Sequence, residues 1–281
     1  MNDDHRLARD LAERAGQRLL GLRAQDGDPD MVRKAGDRLS HEFLTAALAR
    51  ERPGDVVLSE EGADNPARRS ARRVWIVDPL DGTREFGEPG RTDWAVHVAL
   101  WERDPGNLLL APSFPGGPIP PDPPRGGTTP PSTPGNLVAG AVALPAQGRV
   151  LSTLEPPGRP DDSPASARLR ITVSRSRPPA FVWNISDRLN AELVPLGSAG
   201  AKVAAVVGGE VDAYVHGGGF YEWDTAAPVA VARAAGFHAS RIDGSPLAYN
   251  QADLLMPDIL VCRPALAALL LQAIREVTNA P

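Results

Sequence analysis

Trp75-Ile76-Val77-Asp78-Pro79-Leu80-Asp81-Gly82-Thr83 is the stretch that decides how this chain is built. Three apolar residues predict the end of a buried strand, and two carboxylates then follow at a spacing of three around a proline. Gly82 and Thr83 can turn the backbone and present N–H groups. A strand that ends in two acids, a glycine and a hydroxyl is poor packing material. It suits a site that gathers a hard cation such as Mg²⁺, which prefers oxygen ligands, beside an anion.

Outward from that run, bulk properties narrow the class. At 281 residues the chain is long enough for one large core or two modest ones, and two lobes sharing an interface are expected. A net charge of −5 gives no general attraction to nucleic acid or to an anionic membrane, so an anionic substrate needs locally concentrated positive charge. The single cysteine, Cys262, excludes an intrachain disulfide and an all-cysteine metal site. Met1 to Arg6 is charged where a signal peptide is apolar, and the run Ala265 to Leu271 is too short to span a bilayer. A cytoplasmic protein is the expectation. Only Lys34 and Lys202 stand against 28 arginines, a bias that GC-rich coding explains.

Leu7, Leu11, Ala15 and Leu19 recur every four positions and predict an amphipathic helix ending near Gly21. A second helix is predicted from Arg38 to Arg50, then a turn at Pro53-Gly54-Asp55 and a short strand at Val56-Val57-Leu58. Trp94 to Trp101 reads as a mostly buried strand. Ten prolines lie between Pro112 and Pro134. The segment 112–135 therefore reads as a disordered or loose loop, inserted into a hairpin that resumes at Leu137 to Leu144. Pro156 to Pro164 reads as a further loop or hinge. The remainder alternates: strands at Arg170 to Val173, Leu193 to Leu196, Val211 to Val215 and Ile259 to Val261. Helices are predicted at Asp187 to Ala191, Lys202 to Val207, Thr225 to Ala235 and from Pro264. This divides the chain into an α+β lobe, 1–168, and an α/β lobe, 169–281.

Acids sit at the ends of four predicted elements: Asp37 before the second helix, Glu60-Glu61 and Asp78/Asp81 after strands, and Asp224 opening a helix. Taken singly, each has an ordinary explanation. Asp224 suits a helix cap, Glu60-Glu61 a solvated turn, and Asp78 to Gly82 a plain turn. Together, without metal, so many carboxylates would repel and take up protons. Two or three Mg²⁺ ions remove that repulsion and attract phosphate.

The chain resembles the inositol monophosphatase-like, lithium-sensitive, Mg²⁺-dependent phosphatases. The residues that carry the resemblance are Ser59-Glu60-Glu61-Gly62, the run Trp75 to Thr83, Glu222-Trp223-Asp224-Thr225-Ala226-Ala227-Pro228 with Ala234-Ala235-Gly236, and Gly197-Ser198-Ala199-Gly200. The resemblance implies a layered α-β-α-β-α sandwich of the sugar-phosphatase type. It implies one Mg²⁺ held by Glu60, Asp78 and the Leu80 carbonyl, and a second held by Asp78, Asp81 and Asp224. It implies backbone N–H groups of Gly82 and Thr83 facing the phosphate. Thr83 and Glu60 then orient the attacking water, with Asp37 helping a third Mg²⁺.

Thr83-Arg84-Glu85-Phe86 and Val173-Ser174-Arg175-Ser176 resemble the 3′-phosphoadenosine 5′-phosphate phosphatases of the CysQ type. Gly197 to Lys202 and Tyr249-Asn250-Gln251 resemble the actinobacterial members. Arg84, Arg175, Ser198 and Lys202 are then candidates to hold the nucleotide; for Arg175 and Lys202 a plain surface charge is the ordinary alternative. The implied activity is Mg²⁺-dependent hydrolysis of the 3′-phosphate to give AMP, in sulfate assimilation. Inositol-1-phosphate or fructose-1,6-bisphosphate hydrolysis is the alternative inside the class, and a non-catalytic Mg²⁺/phosphate-binding regulator the one outside it. The implied partners are a small phosphorylated nucleotide or a sugar or polyol phosphate, with no nucleic-acid polymer and no membrane; many relatives are homodimers. An esterase is suggested superficially by His216-Gly217-Gly218-Gly219, but no Gly-x-Ser-x-Gly elbow is present. A zinc hydrolase lacks the second histidine of the helical pair after His41-Glu42.

Overall fold

Nineteen regular helices and strands follow one another in the computed structural model, which describes residues 2–25, 27–104, 135–158 and 168–278. The first half holds α1 (Asn2–Arg23), α2 (Pro29–Glu51), β1 (Val56–Ser59), β2 (Arg73–Asp81), α3 (Thr83–Gly87), β3 (Ala95–Arg103), β4 (Gly135–Leu144) and β5 (Arg149–Ser152). The second holds β6 (Arg170–Ser174), α4 (Phe181–Leu189), β7 (Glu192–Leu196), α5 (Ala199–Val207), β8 (Ala213–His216), β9 (Phe220–Tyr221), α6 (Glu222–Ala234), β10 (His238–Ser240), β11 (Leu255–Met256), β12 (Ile259–Cys262) and α7 (Pro264–Thr278).

Strands β1 to β5 form one sheet in chain order, and β10-β12-β8-β6-β7 form the other; β9 and β11 make a separate ribbon. Side-chain alternation sorts the first sheet's residues into two cores. Trp75, Val77, Val96, Val98 and Leu100 pack with Leu11, Leu19, Leu44 and Leu48 of α1 and α2. Val74, Ile76, Ala99 and Trp101 instead pack with Val203 and Val206 of α5 and with Ala226, Ala227 and Val229 of α6. That same core includes Tyr214 and Val261 from the second sheet. The far face of the second sheet is covered by α4 and α7 through Val182, Ile185, Leu270 and Ile274. The layers are α-β-α-β-α, as the resemblance implies. Each fully buried Leu or Val is worth about 1.5–3 kcal/mol relative to exposure, so the central helices tie the two sheets strongly together.

Close approach in the middle layer depends on small residues. A Cβ on Gly140 would lie 2.7 Å from the Ala230 methyl of α6. Among the described residues no helix is long and apolar enough to cross a membrane.

Several predicted boundaries change. Helix α2 begins at Pro29, not Arg38, because Asp28 caps it by accepting from the N–H groups of Asp30 and Met31 at 3.0 and 3.2 Å; Pro in the first turn costs the helix no hydrogen bond. Asp37 therefore sits inside α2 rather than before it. Helix α4 is Phe181–Leu189 and stops at Asn190, whose φ of +47° is left-handed, so Ala191 lies outside it. Strand β3 pairs with β4 as a hairpin, Arg103 opposite Gly135. The proline-rich loop predicted between them, and most of the one at Pro156 to Pro164, lie outside the described residues.

Candidate active site

The site forms where several elements end. β1 and β2 run parallel with Ser59 opposite Val77, so Glu60 and Asp78 leave the same sheet edge side by side. The β2–β3 register then breaks between Asp78 and Asp81, and in a strand flanked on both sides such a bulge is what accommodates Pro79. In a regular strand, residues three apart face opposite sides. With the bulge, an oxygen from each acid and a ring nitrogen of His97 all lie within 4.8 Å of one another.

Gly82 follows with φ +83°, and an ideal Cβ there would sit 3.1 Å from Ser198 Cβ and 3.2 Å from the Asp93 carbonyl. Only glycine meets both demands easily. Thr83 begins the short α3, its hydroxyl 3.0 Å from the Leu80 carbonyl and 3.3 Å from Asp37 Oδ1. Asp37 is brought there by Gly36, where a Cβ would come within 2.8 Å of the Phe86 ring; α2 therefore packs closely on α3.

The second half closes over Asp81. The Ser198 hydroxyl donates to Asp81 Oδ2, and the Gly200 N–H donates to the same oxygen at 2.8 Å. Ser198 also caps α5, accepting from Ala201 N at 3.0 Å. Lys202, one turn on and fully buried, donates to the Gly197 and Ser198 carbonyls. Asp224 stands in the first turn of α6 and accepts from the Tyr221 N–H; its capping role is real, and it leaves one carboxylate oxygen for another partner. The start of α6 is itself anchored, because Glu222 accepts from the main-chain N–H groups of Asn250 and Gln251. The motif's side chains act elsewhere: the Tyr249 hydroxyl donates to Thr225 at 3.2 Å, and the Asn250 amide exchanges hydrogen bonds with Arg68.

The acids are electrostatically crowded. Burial, then Glu60, Asp81 and Asp224, push Asp78 well above the carboxylate range. Desolvation on its inner side, then Asp224, Asp81 and Glu61, push Glu60 up to about 8, although its outer side stays open to solvent. Asp224 rises to about 6 through burial and Asp81, and Asp37 to about 6 through burial and Glu61. Asp81 goes the other way: burial alone would raise it, but His97, Lys202 and Ser198 outweigh that. Asp78 Oδ2 is buried with no hydrogen-bond partner among the described residues. An orphaned carboxylate oxygen among acids that repel one another fits a divalent cation with oxygen ligands.

His97 is absent from the residues singled out in the sequence. It lies opposite Asp78 in the β2–β3 register, on the strand face that points to the middle helices. Its Nδ1 is 3.2 Å from the Trp223 carbonyl and its Nε2 3.2 Å from Asp81 Oδ2. A Cβ on Gly200 would fall 2.1 Å from Nε2, so the ring packs directly under α5. The signal in the sequence was a histidine in phase with Ala95, Ala99 and Trp101 in an otherwise apolar strand.

A cavity of about 340 Å³ opens beside the acids. It gathers most of the predicted residues: Asp81, Gly82, Thr83, Arg84, Ser198, Lys202 and Asp224 line it. Arg175 does not. Its guanidinium is spent on Glu85 and Glu88, through four hydrogen bonds of 2.7–3.0 Å, and Arg177 lines the cavity instead. Regular alternation would put the two arginines on one face; a bend at 175–176, directly after β6, separates them.

A five-layer sandwich with carboxylates, a Gly-Thr turn and a cationic cavity wall defines the layered metal-dependent phosphatases as a class. The chain belongs to the inositol monophosphatase family, whose family model matches residues 5–108 and 133–279. It is 48% identical to the 3′-phosphoadenosine 5′-phosphate phosphatase of Mycobacterium leprae (strain TN), over 98% of this chain and 94% of that protein. It is 29% identical to the 3′(2′),5′-bisphosphate nucleotidase CysQ of Escherichia coli (strain K12), over 85% of this chain and 91% of that one. Among solved structures, inositol monophosphatase-II from Staphylococcus aureus MSSA476 matches with a TM-score of 0.69 at 20% identity, over 97% of this chain and 92% of that chain. That likeness concerns the fold.

Proposed function

We propose that this protein is a phosphoric monoester hydrolase that removes the 3′-phosphate of 3′-phosphoadenosine 5′-phosphate, giving AMP and inorganic phosphate. One observation carries the choice of substrate. The cavity that holds Asp81, Asp224, Gly82 and Thr83 is also lined by three cationic side chains, Arg84, Arg177 and Lys202. A polyol monophosphate needs one anion site; added cations suit a substrate with a second phosphate. The mycobacterial relative's activity agrees with this reading.

Glu60, Asp78, the Leu80 carbonyl, Asp81 and Asp224 would hold two Mg²⁺ ions, and Asp37 would help a third. When bound, Mg²⁺ neutralises the carboxylates and draws charge from the phosphoryl and leaving oxygens. The chain's own groups do the positioning. The N–H groups of Gly82 and Thr83 face the phosphate oxygens. The Thr83 hydroxyl, polarised by Asp37, and Glu60 orient a water in line with the phosphorus, and Glu60 accepts its proton. The phosphorus–O3′ bond breaks, and O3′ leaves with a proton from solvent. Ser198 and Gly200 keep Asp81 aimed throughout. Residues 1–168 and 169–281 act as two lobes that meet at this centre. By the family resemblance the proposal also covers a cytoplasmic location and a homodimer, which fractionation and sedimentation velocity check.

Steady-state kinetics with Mg²⁺ on 3′-phosphoadenosine 5′-phosphate, inositol-1-phosphate and fructose-1,6-bisphosphate test the reading. The nucleotide is expected to give the highest kcat/KM, chelation to abolish turnover, and Asp81→Asn to release only background phosphate. A preference of about tenfold or more for either other substrate overturns the substrate assignment. Equal release by wild type and Asp81→Asn overturns the enzyme.

A further inference from the structure

The segment His216-Gly217-Gly218-Gly219 has no part in the chemistry above, yet it forms a wall of the same cavity through His216 and Gly219. Gly218 has φ +101°, and an ideal Cβ on it would lie 2.3 Å from the Pro257 carbonyl. No other residue fits there, so the direction of its N–H is fixed. That N–H donates to His216 Nδ1 at 3.1 Å. A ring nitrogen that accepts a hydrogen bond carries no proton, so the proton of the neutral ring is on Nε2. The ring is held edge-on by Phe220, centroids 5.1 Å apart. Burial, then Lys202 and Arg177, disfavour a second proton and hold His216 down at about 4. Among the described residues, Nε2 has no hydrogen-bond partner.

His216, in the cavity wall, thus has its one N–H donor at Nε2, in a neutral ring within electrostatic reach of Lys202 and Arg177. A phosphate oxygen is better served by Lys202 or Arg177, whereas a neutral donor suits an uncharged acceptor. In a nucleoside 3′,5′-bisphosphate the uncharged oxygens between the two phosphates belong to the ribose. We infer that His216 is a specificity-determining residue whose Nε2–H donates to a ribose oxygen of the substrate. This rests on the proposed function and deepens it.

Two variants separate the donor from its scaffold. Asn at this position can accept from the N–H two residues on, as asparagine does in turns, but is too short to replace the Nε2–H. Gln restores a donor at that reach. Expected for His216→Asn is a rise of about tenfold in KM for 3′-phosphoadenosine 5′-phosphate, with kcat and the kcat/KM for inositol-1-phosphate within about twofold of wild type. His216→Gln is expected to recover KM to within about threefold. An unchanged KM in His216→Asn, or parallel losses on both substrates, overturns the inference. The wild-type enzyme gives an independent reading with two substrate analogues, one carbocyclic and one 2′-deoxy. A KM raised by about fivefold or more for one of them supports the inference, and both bound like the parent overturn it. Absence of turnover on the nucleotide by wild type overturns the function itself, a result distinct from either of these.

Discussion

Ser198 and Asp81 are 117 residues apart, and the Ser198 hydroxyl donates to the Asp81 carboxylate in the buried centre of the molecule. Because Ser198 also caps α5, one side chain both starts a helix and aims an acid. Ser198→Ala is expected to cost about 1 kcal/mol of stability through the lost cap and to raise the Mg²⁺ concentration giving half-maximal activity several-fold. Denaturant melts and a Mg²⁺ titration of kcat measure the two effects. An unchanged Mg²⁺ titration would show that the serine serves the helix alone.

Gly197 stands where the two halves touch most closely. A Cβ there would lie 2.4 Å from the Glu85 carboxyl carbon and 2.9 Å from the Asp93 carbonyl. Since Asp93 contributes backbone, relaxation by a side-chain rotation alone is blocked. Gly197→Ala is expected to lose about 1–3 kcal/mol and to lower kcat/KM by displacing α3 and with it Thr83. Wild-type stability in a urea titration would contradict this packing.

Arg175 joins the end of β6 to Glu85 and Glu88 around α3. Its removal loosens the element that follows Gly82 and Thr83, whatever the substrate. Arg175→Ala is therefore expected to lower kcat/KM by a similar factor on the nucleotide and on inositol-1-phosphate. A loss confined to the nucleotide would return Arg175 to the role of nucleotide contact.

Arg103 and Gly135 are opposite each other at the end of the β3–β4 hairpin, so a turn of a few residues can join them. Replacing 105–134 by a short Gly-Ser linker is expected to leave kcat/KM within about threefold, since loop closure changes slowly with length. A collapse in kcat would assign the segment to the site or to an interface.

Cys262 is wholly buried in β12, and burial pushes its thiol from 9.0 up to about 12. A folded pKa above the unfolded one means the native state holds the proton more tightly. The thiol's contribution is thus fully present below pH 9 and is lost as pH rises from 9 towards 12. Native protein is expected to resist thiol labelling at neutral pH and to react once unfolded in urea. Cys262→Ala should show a shallower loss of stability over the same alkaline range. Rapid labelling of the native protein would contradict the burial.

Much of the site was legible because its acids follow runs whose periodicity marks where a strand or helix ends. Asp78, Asp81, Glu60 and Asp224 belong to this group, and so do the Gly82-Thr83 turn and the Ser198 loop. Asp37 was legible as a residue but not as a position, since Asp28 and Pro29 start α2 earlier than its apolar face suggests. His97 was hidden because its meaning is a register: it matters only once β3 lies antiparallel to β2 with His97 opposite Asp78. Arg175 and Arg177 differ by which way an irregular segment turns, and local pattern does not encode that.

The sequence by itself placed the acids and the Gly82-Thr83 turn at the ends of elements, and its resemblance to a known family implied the layered architecture. The placement follows from local rules: side-chain period, turn chemistry, and the repulsion that gathered carboxylates must relieve. Tertiary structure alone decided which cation faces the cavity, which histidine braces Asp81, and that Ser198 reaches across to aim it. Each of these is a contact between segments distant in the chain, set by the packing of α5 and α6 between two sheets. From the starting run, Asp78 and Asp81 could be read as a pair. It took the bulge at Pro79-Leu80 and the α5 loop to turn both towards one centre.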